Sequence, residues 1–194
     1  QDIMNKRIWK TIVGFLVFIL FWFWVWLHHP LPRYEGEIQL DGLTSSVDVF
    51  FDEWAVPHVF ARNEDDLFYA AGYLAARERL FQLSTVALGV RGELASALGD
   101  DFLSTDIYLR TWRIHDTAKK MVAAMDVDNR SIYNSFCNGI NSRIQEIKDD
   151  PPIEFKILGM DPPLWDPTIV AGYERMMAHE MQGSWEPEIV YGAI

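Results

Sequence analysis

The chain has 194 residues, 49% hydrophobic and 14% aromatic, with eight tryptophans; that is enough apolar material for one domain with a sizeable core and too much for a disordered chain. Lys and Arg total 17 against 28 Asp and Glu, and beyond residue 30 the balance is 14 basic to 27 acidic side chains, a surface that repels phosphate backbones and argues against nucleic acid as a partner. Cys137 is the single cysteine, which rules out an intrachain disulfide and any CxxC metal or redox motif.

In chain order, the run Ile8–Leu27 is dominated by Val, Phe, Ile, Leu and Trp and carries no charge from Ile12 onward. Twenty residues at about 1.5 Å each reach roughly 30 Å, the thickness of a bilayer's hydrocarbon core. Lys6, Arg7 and Lys10 cluster at its N-terminal end, so the positive-inside rule assigns residues 1–7 to the cytoplasm, 8–27 to a transmembrane signal anchor and the rest to the far side. Trp22, Trp24 and Trp26 suit an interfacial belt. A cleaved secretory signal is the rival reading, and a buried soluble helix the third. Against the signal, the run is long, ends in bulky aromatics and His28-His29, and offers no small-x-small cleavage site.

Residues 28–36, with two prolines, read as a linker, and Glu37–Leu40 as a short strand that opens a domain over 37–194. Val47, Val49 and Phe51 alternate with polar or outward residues up to the turn Asp52-Glu53-Trp54-Ala55, and Val56–Ala61 can pair back on them as a hairpin. Asn63 then stands at a helix cap position, followed by Glu64, Asp65 and Asp66, whose charges suit the positive end of a helix dipole. Leu67, Ala71, Leu74, Ala75 and Leu83 recur at helical spacing, with Ala and Gly allowing close approach by another element.

Further on, Gly89, Gly92 and Gly99 interrupt the helical pattern of Ala87–Asp101. Asp106 and Arg110 stand four apart, a spacing that pairs carboxylate with guanidinium on a helix. Ile114–Ala124 and Arg130–Lys148 read as helices, the second with Ile132, Phe136, Ile140, Ile144 and Ile147 along one face and Cys137 beside it as a core thiol. Pro152–Pro167 reads as a stiff segment packed on a helix face. Ala171–Met181 is a helix broken at Gln182–Trp185, before Glu186-Pro187-Glu188-Ile189.

Taken alone, these residues hold no self-sufficient catalytic centre. His58, His115 and His179 are far apart in sequence, no HExxH or paired Cys/His spacing occurs, and GxSxG, Walker and GxGxxG motifs are absent. His58 reads as a structural residue of the hairpin, because no nucleophile can be nominated beside it.

Several stretches nonetheless resemble one family. Asp52, Val56-Pro57-His58, Ala61, Asp66-Leu67, Ala70, Gly72-Tyr73, Arg79-Leu80 and Gln82 follow, in order and spacing, the pattern of the smaller subunit of the penicillin acylases, which are N-terminal nucleophile hydrolases. Gly92–Gly99, the Asp106/Arg110 pair, Gly139-Ile140-Asn141, Pro152–Pro167 and Met177–Glu188 are similar to later motifs of that subunit. Ala55 stands where the family writes Gly, Glu180 where it writes Asp and Ser184 where it writes Asn.

The resemblance implies an α+β fold, a mostly helical small subunit of an αββα sandwich completed by a larger partner chain cut from the same precursor. It implies an amidase in which no catalytic residue lies on this chain: the partner's N-terminal Ser, Thr or Cys attacks the amide with its own α-amine as base. Carried over residue by residue, Met181 and Gln182 lean over the acyl pocket as substrate-binding positions, and Glu188 gives a carboxylate to a structural calcium ion whose other ligands come mainly from the partner. The expected whole is an inner-membrane, single-pass protein with its domain on the periplasmic side, acting on a small N-acylated molecule. A catalytically silent interaction subunit of an envelope complex is the alternative, and an unrelated anchored binding domain a third.

Overall fold

The structure, a computed structural model, describes residues 2–28, 34–183 and 185–192. Most of the expected linker, residues 29–33, and Ser184 lie outside the described residues. Helix α1, Asp2–His28, contains the window Ile8–Val25 with mean hydropathy 2.1 and none of it buried. Among the described residues it is the one helix long and apolar enough to cross a membrane, a test that an N-terminal signal sequence also passes.

Strands β1 (Asp48–Phe51) and β2 (Pro57–Phe60) form the expected antiparallel hairpin, with Val49 opposite Val59 and Phe50 opposite His58. Pro57 opens β2, where its missing N–H costs the ladder least. Glu37–Leu40 is not a strand. The hairpin is a two-stranded sheet with no described third partner, and residues 37, 38 and 40 instead line a cavity beside it. Ala55 holds φ +59°, the left-handed region its Gly counterpart would enter freely, so the hairpin turn keeps a strain on the order of 1 kcal/mol.

The long helix α2, Glu64–Arg91, starts on Asn63, whose side chain accepts from Asp66 N at 2.7 Å, and carries three acids in its first turn. It runs through Gly89 and stops at Gly92 (φ +65°), where the Gly92 and Glu93 N–H groups return to Gly89 O and Leu88 O. The expected break at Gly89 is absent because only Gly92 takes up the left-handed conformation that ends the helix. The buried line of α2 runs Asp66, Tyr69, Tyr73, Ala76, Leu80, Ser84 and Ala87. Of the apolar stripe read from sequence, Leu74 is buried, while Leu67, Ala71, Ala75 and Leu83 are half-buried beside that line, so the stripe is in part the shoulder of the buried face.

Short helix α3 (Leu94–Leu98) and a 3₁₀ turn (Asp100–Phe102) lead to α4 (Leu103–Thr111) and α5 (Ile114–Ala124). Helix α6, Val127–Glu146, begins three residues before the expected Arg130 because Asp126 caps it, accepting from Asn129 N at 2.8 Å. It crosses α2 so closely that a Cβ on Gly72 would collide with Phe136 O, and one on Gly139 with Tyr69 O. The segment after α6 is not purely extended: Ile153–Leu158 forms α7, which drops Phe155 into the core. Helix α8, Pro167–Glu180, has Asp166 as cap and Pro at its first position; α9 spans Trp185–Gly192.

Ala76, Leu80, Ala87, Cys137, Ile140, Ile144, Phe155, Trp165 and Ile169 make one continuous core from α2, α6, α7 and α8. Complete burial of Phe155, Ile140 and Ile169 contributes about 1.5–3 kcal/mol each. Asn141 ties the α7–α8 connection to this core: its Nδ2 donates to Trp165 O and its Oδ1 accepts from Trp165 N, both at 2.8 Å. The expected Ile132-to-Ile147 face of α6 is the one turned inward, with Ile140 and Ile144 fully buried.

Candidate functional site

Three acidic residues that carry the motifs are spent on architecture. Asp66, 1% exposed, accepts from Thr44 N and Oγ1, Ser45 N and Asn63 Nδ2 at 2.7–3.0 Å. Burial pushes its carboxyl up, but these four donors outweigh that and hold it below the ordinary carboxylate value. The result is a charged staple that fastens residues 44–45 to the start of α2.

Asp52 closes the hairpin turn, accepting from Val56 N and Trp54 N, with His58 Nε2 3.3 Å from its other oxygen. The Val56 amide is the main reason its carboxyl lies below the usual range. His58 therefore has a carboxylate neighbour and a structural place on β2, as the sequence implies. Asp106 and Arg110 do not pair with each other. Asp106 accepts from Leu94 N and Ala95 N at 2.8 Å, capping α3, while Arg110 Nε donates to Gly92 O at 2.8 Å. The unmet amides of a five-residue helix compete for the carboxylate and win it.

The end of α8 is different in kind. Met181, 77% exposed, and Gln182, also exposed, sit on the turn after Glu180. Two residues earlier, His179 Nε2 lies 2.7 Å from Tyr108 Oη, and its ring stands 4.2 Å from that of Trp112 at 45°. Tyr108 on α4 and Trp112 at its C-cap face one another at 6.2 Å, edge to face. A hydrogen bond of this type contributes about 1 kcal/mol and each ring contact about 0.5–1.5 kcal/mol. Sequence reasoning did not single out Tyr108 or Trp112; two aromatics four apart on one helix are the only signal that could have pointed to them. Beside them Leu103 and Ile107 are exposed, 53% and 59%, so α4 and the end of α8 share an open apolar face.

Glu188 lies on α9, exposed and apart from Met181 and Gln182 along the chain. Among the described residues no three His, Cys, Asp or Glu side chains gather as a metal cluster. The His115 pKa is lowered, first by burial and then by Lys119, and its Nδ1 is buried without a hydrogen bond. Cys137 is 2% exposed with its thiol pushed up to about 12 by burial, an inert core group and not a nucleophile.

A second feature is a cavity of about 550 Å³ between the 34–40 segment, the hairpin and α2, walled by Tyr34, Ile38, Phe51, Tyr73, Leu74 and Arg77. The Arg77 guanidinium lies 4.9 Å over the Tyr34 ring and 4.8 Å over that of Phe51, with Nε on Glu78 Oε1 at 2.9 Å. Tyr34 Oη donates to Glu78 Oε2, which raises the phenol's pKa. The cavity is of mixed character: Glu35, Glu37 and Asp48 share its lining with the apolar walls and Arg77, and no described hydrogen bond there joins a nucleophile to a base.

Comparison with known proteins gives a consistent picture. The family model described as penicillin amidase matches residues 46–193. Penicillin G acylase of Escherichia coli is 31% identical over 132 residues, covering 66% of this chain and 16% of that protein. The penicillin acylase 2 proenzyme of Pseudomonas sp. (strain SE83) is 27% identical over 159 residues, covering 82% and 20%. An acyl-homoserine lactone acylase, QuiP, of Pseudomonas fluorescens (strain Pf0-1) is 26% identical over 137 residues, covering 71% and 17%. The chain thus spans a fifth or less of the curated relatives it matches. Among solved structures, a thermostable penicillin G acylase from Alcaligenes faecalis superposes with a TM-score of 0.61 at 27% identity, over 66% of this chain and 69% of that one.

Proposed function

The chain belongs to the penicillin amidase family, and from that premise we propose that it is the smaller chain of a membrane-tethered acylase that hydrolyses the amide of an N-acylated small molecule. The observation that carries the reading is one of proportion: the family match runs along 46–193, yet this chain spans a fifth or less of its curated relatives, so most of an acylase lies outside it. The word proenzyme in the name of one relative agrees with a precursor that is cut.

On this reading the larger chain begins with Ser, Thr or Cys. Its hydroxyl or thiol adds to the amide carbon while its α-amine takes the proton. Donors on the same chain hold the oxyanion, the amine departs with the proton, and water releases the acyl group. This chain contributes the αββα sandwich's helical cover, with Met181 and Gln182 at the acyl group. A thioether on an open turn adapts to apolar chains of different shape, and the Gln amide offers both a donor and an acceptor.

Calcium is the cofactor we assign, as a structural ion. Glu188 fits one ligand position because its carboxylate is exposed on α9 with no described ion pair, and hard cations take oxygen ligands; the remaining oxygens would come from the larger chain. Bound there, the ion supplies positive charge that braces the two chains together.

Residues 1–7 are assigned to the cytoplasm, 8–27 to the inner membrane, 28–36 to a linker and 37–194 to a periplasmic domain. The support is the apolar run in α1 and the basic residues Lys6, Arg7 and Lys10. Intact-mass and N-terminal analysis of everything that co-purifies with this chain from its native gene tests the proposal. A larger companion starting with Ser, Thr or Cys and cleaving N-acyl amides supports it. A companion with another first residue makes the assembly a silent interaction complex, and no companion at all overturns both.

A further inference from the structure

The geometry points to Tyr108, Trp112 and His179 as a positioning clamp that sets the acyl-chain preference of the site at the end of α8. The inference rests on the acylase reading above and adds to it residues that none of the motifs contains. Tyr108 falls among the unspecified positions between Asp106 and Arg110, and His179 at the open position after Met177-Ala178.

A helix end directs the residues that follow it only as firmly as its last turn is held. The final turn of α8 has no side-chain cap; Met181 N returns to Met177 O and Gln182 N to His179 O, and Gly183 follows directly. What fixes that turn from outside is His179, gripped by the Tyr108 hydroxyl at 2.7 Å and by the Trp112 ring at 4.2 Å. The grip is anchored well. Helix α4 is tied at Asp106 to Leu94 N and Ala95 N, at Arg110 to Gly92 O, and by the buried Leu109 to the body of the domain. A contact 71 residues apart in sequence thus runs from a rigid element to the two residues next to the acyl group. The three are proposed to act through Met181 and Gln182, which makes them positioning residues.

Movement of Met181 by a fraction of its own width changes how long or broad an acyl group the site accepts, while the larger chain's nucleophile is untouched. The test uses the assembled enzyme and a series of N-acyl amides of one amine, with straight acyl chains of rising length and one aryl-bearing member. His179→Ala is expected to change the kcat/KM ratio between the longest and shortest chains by about tenfold, through KM and with kcat on the best substrate held within about twofold. His179→Gln, which keeps a hydrogen-bonding group for Tyr108, recovers part of the wild-type ratio. Tyr108→Phe, which deletes one oxygen and no volume, moves it in the same direction by less and carries the test should His179→Ala fail to fold. Ratios unchanged across the series, or losses equal for every chain, overturn the clamp with the acylase reading intact. A wild-type assembly that cleaves no member of the series overturns the acylase reading, and the clamp with it.

Discussion

The crossing of α2 and α6 and the outer end of α8 are built by opposite rules. At the crossing, Gly72 and Gly139 bring two backbones together, Cys137, Ile140 and Ile144 are sealed, and the polar groups at its margins pair inside the chain: Asp66 with four donors, Asn141 with both main-chain groups of Trp165. At the end of α8 and along α4, by contrast, Ile107, Trp112 and Met181 stand 45–77% exposed, and the hairpin adds Phe50, Trp54 and Phe60 at 61–79%. A soluble surface rarely leaves so many large apolar side chains open without a purpose. The first region is closed by this chain's own groups; in the second the large apolar side chains stand open.

The largest expected effect breaks the finished side. Gly139→Ala forces a methyl against Tyr69 O, where backbone and not a flexible side chain must yield, and should cost more than about 3 kcal/mol of unfolding free energy, read from denaturant midpoints at constant slope. A loss under about 1 kcal/mol would mean the two helices are not so close.

Next comes Asp66→Asn, expected to cost roughly 2 kcal/mol by leaving donors at Thr44 and Ser45 poorly matched. Because folding depresses this carboxyl below its unfolded value near 4, its stabilisation is fully present above about pH 4 and is lost as pH falls through the folded value. The acid limb of a stability-versus-pH curve should therefore flatten in the Asn variant; an unchanged limb would show that Asp66 is not the titrating staple.

A smaller change of opposite sign is expected at the turn. Ala55→Gly relieves φ +59° and should raise stability by about 0.5–1 kcal/mol, where the entropy of an added glycine alone would lower it. Smallest in stability is Phe60→Ser on the open face of the hairpin, expected within about 0.5 kcal/mol of wild type. On the two-chain proposal, its consequence should appear as weaker retention of the proposed larger chain in a pull-down. Equal retention would remove Phe60 from the contact surface.

Legibility in the sequence followed the same division. Period and punctuation sufficed for the hairpin, the Asn63 cap, α5 and the inward face of α6, because local pattern decides those; α8 was expected from Ala171 but starts four residues earlier, on the Asp166 cap and Pro167. They failed where a distant group intervened. Glu37–Leu40 has strand composition but no described partner strand; Asp106 was drawn from Arg110 to the amides of α3; and the buried face of α2 includes Tyr69, Tyr73 and Ser84 beside Leu74 and Leu80, where α6 crosses it. Tyr108 and His179 could not be joined from sequence, because nothing in a local window reports a contact across 71 residues. For the candidate site, Met181 and Gln182 are nominated only through the family resemblance, since methionines at helical spacing are most often plain core.

The most direct measurement is the mass and first residue of whatever remains bound to this chain when its native gene is expressed and the membrane fraction is solubilised. The account predicts a longer polypeptide in one-to-one ratio, opening on Ser, Thr or Cys and carrying amidase activity. This chain recovered alone, monomeric and with its apolar faces inert, would contradict it.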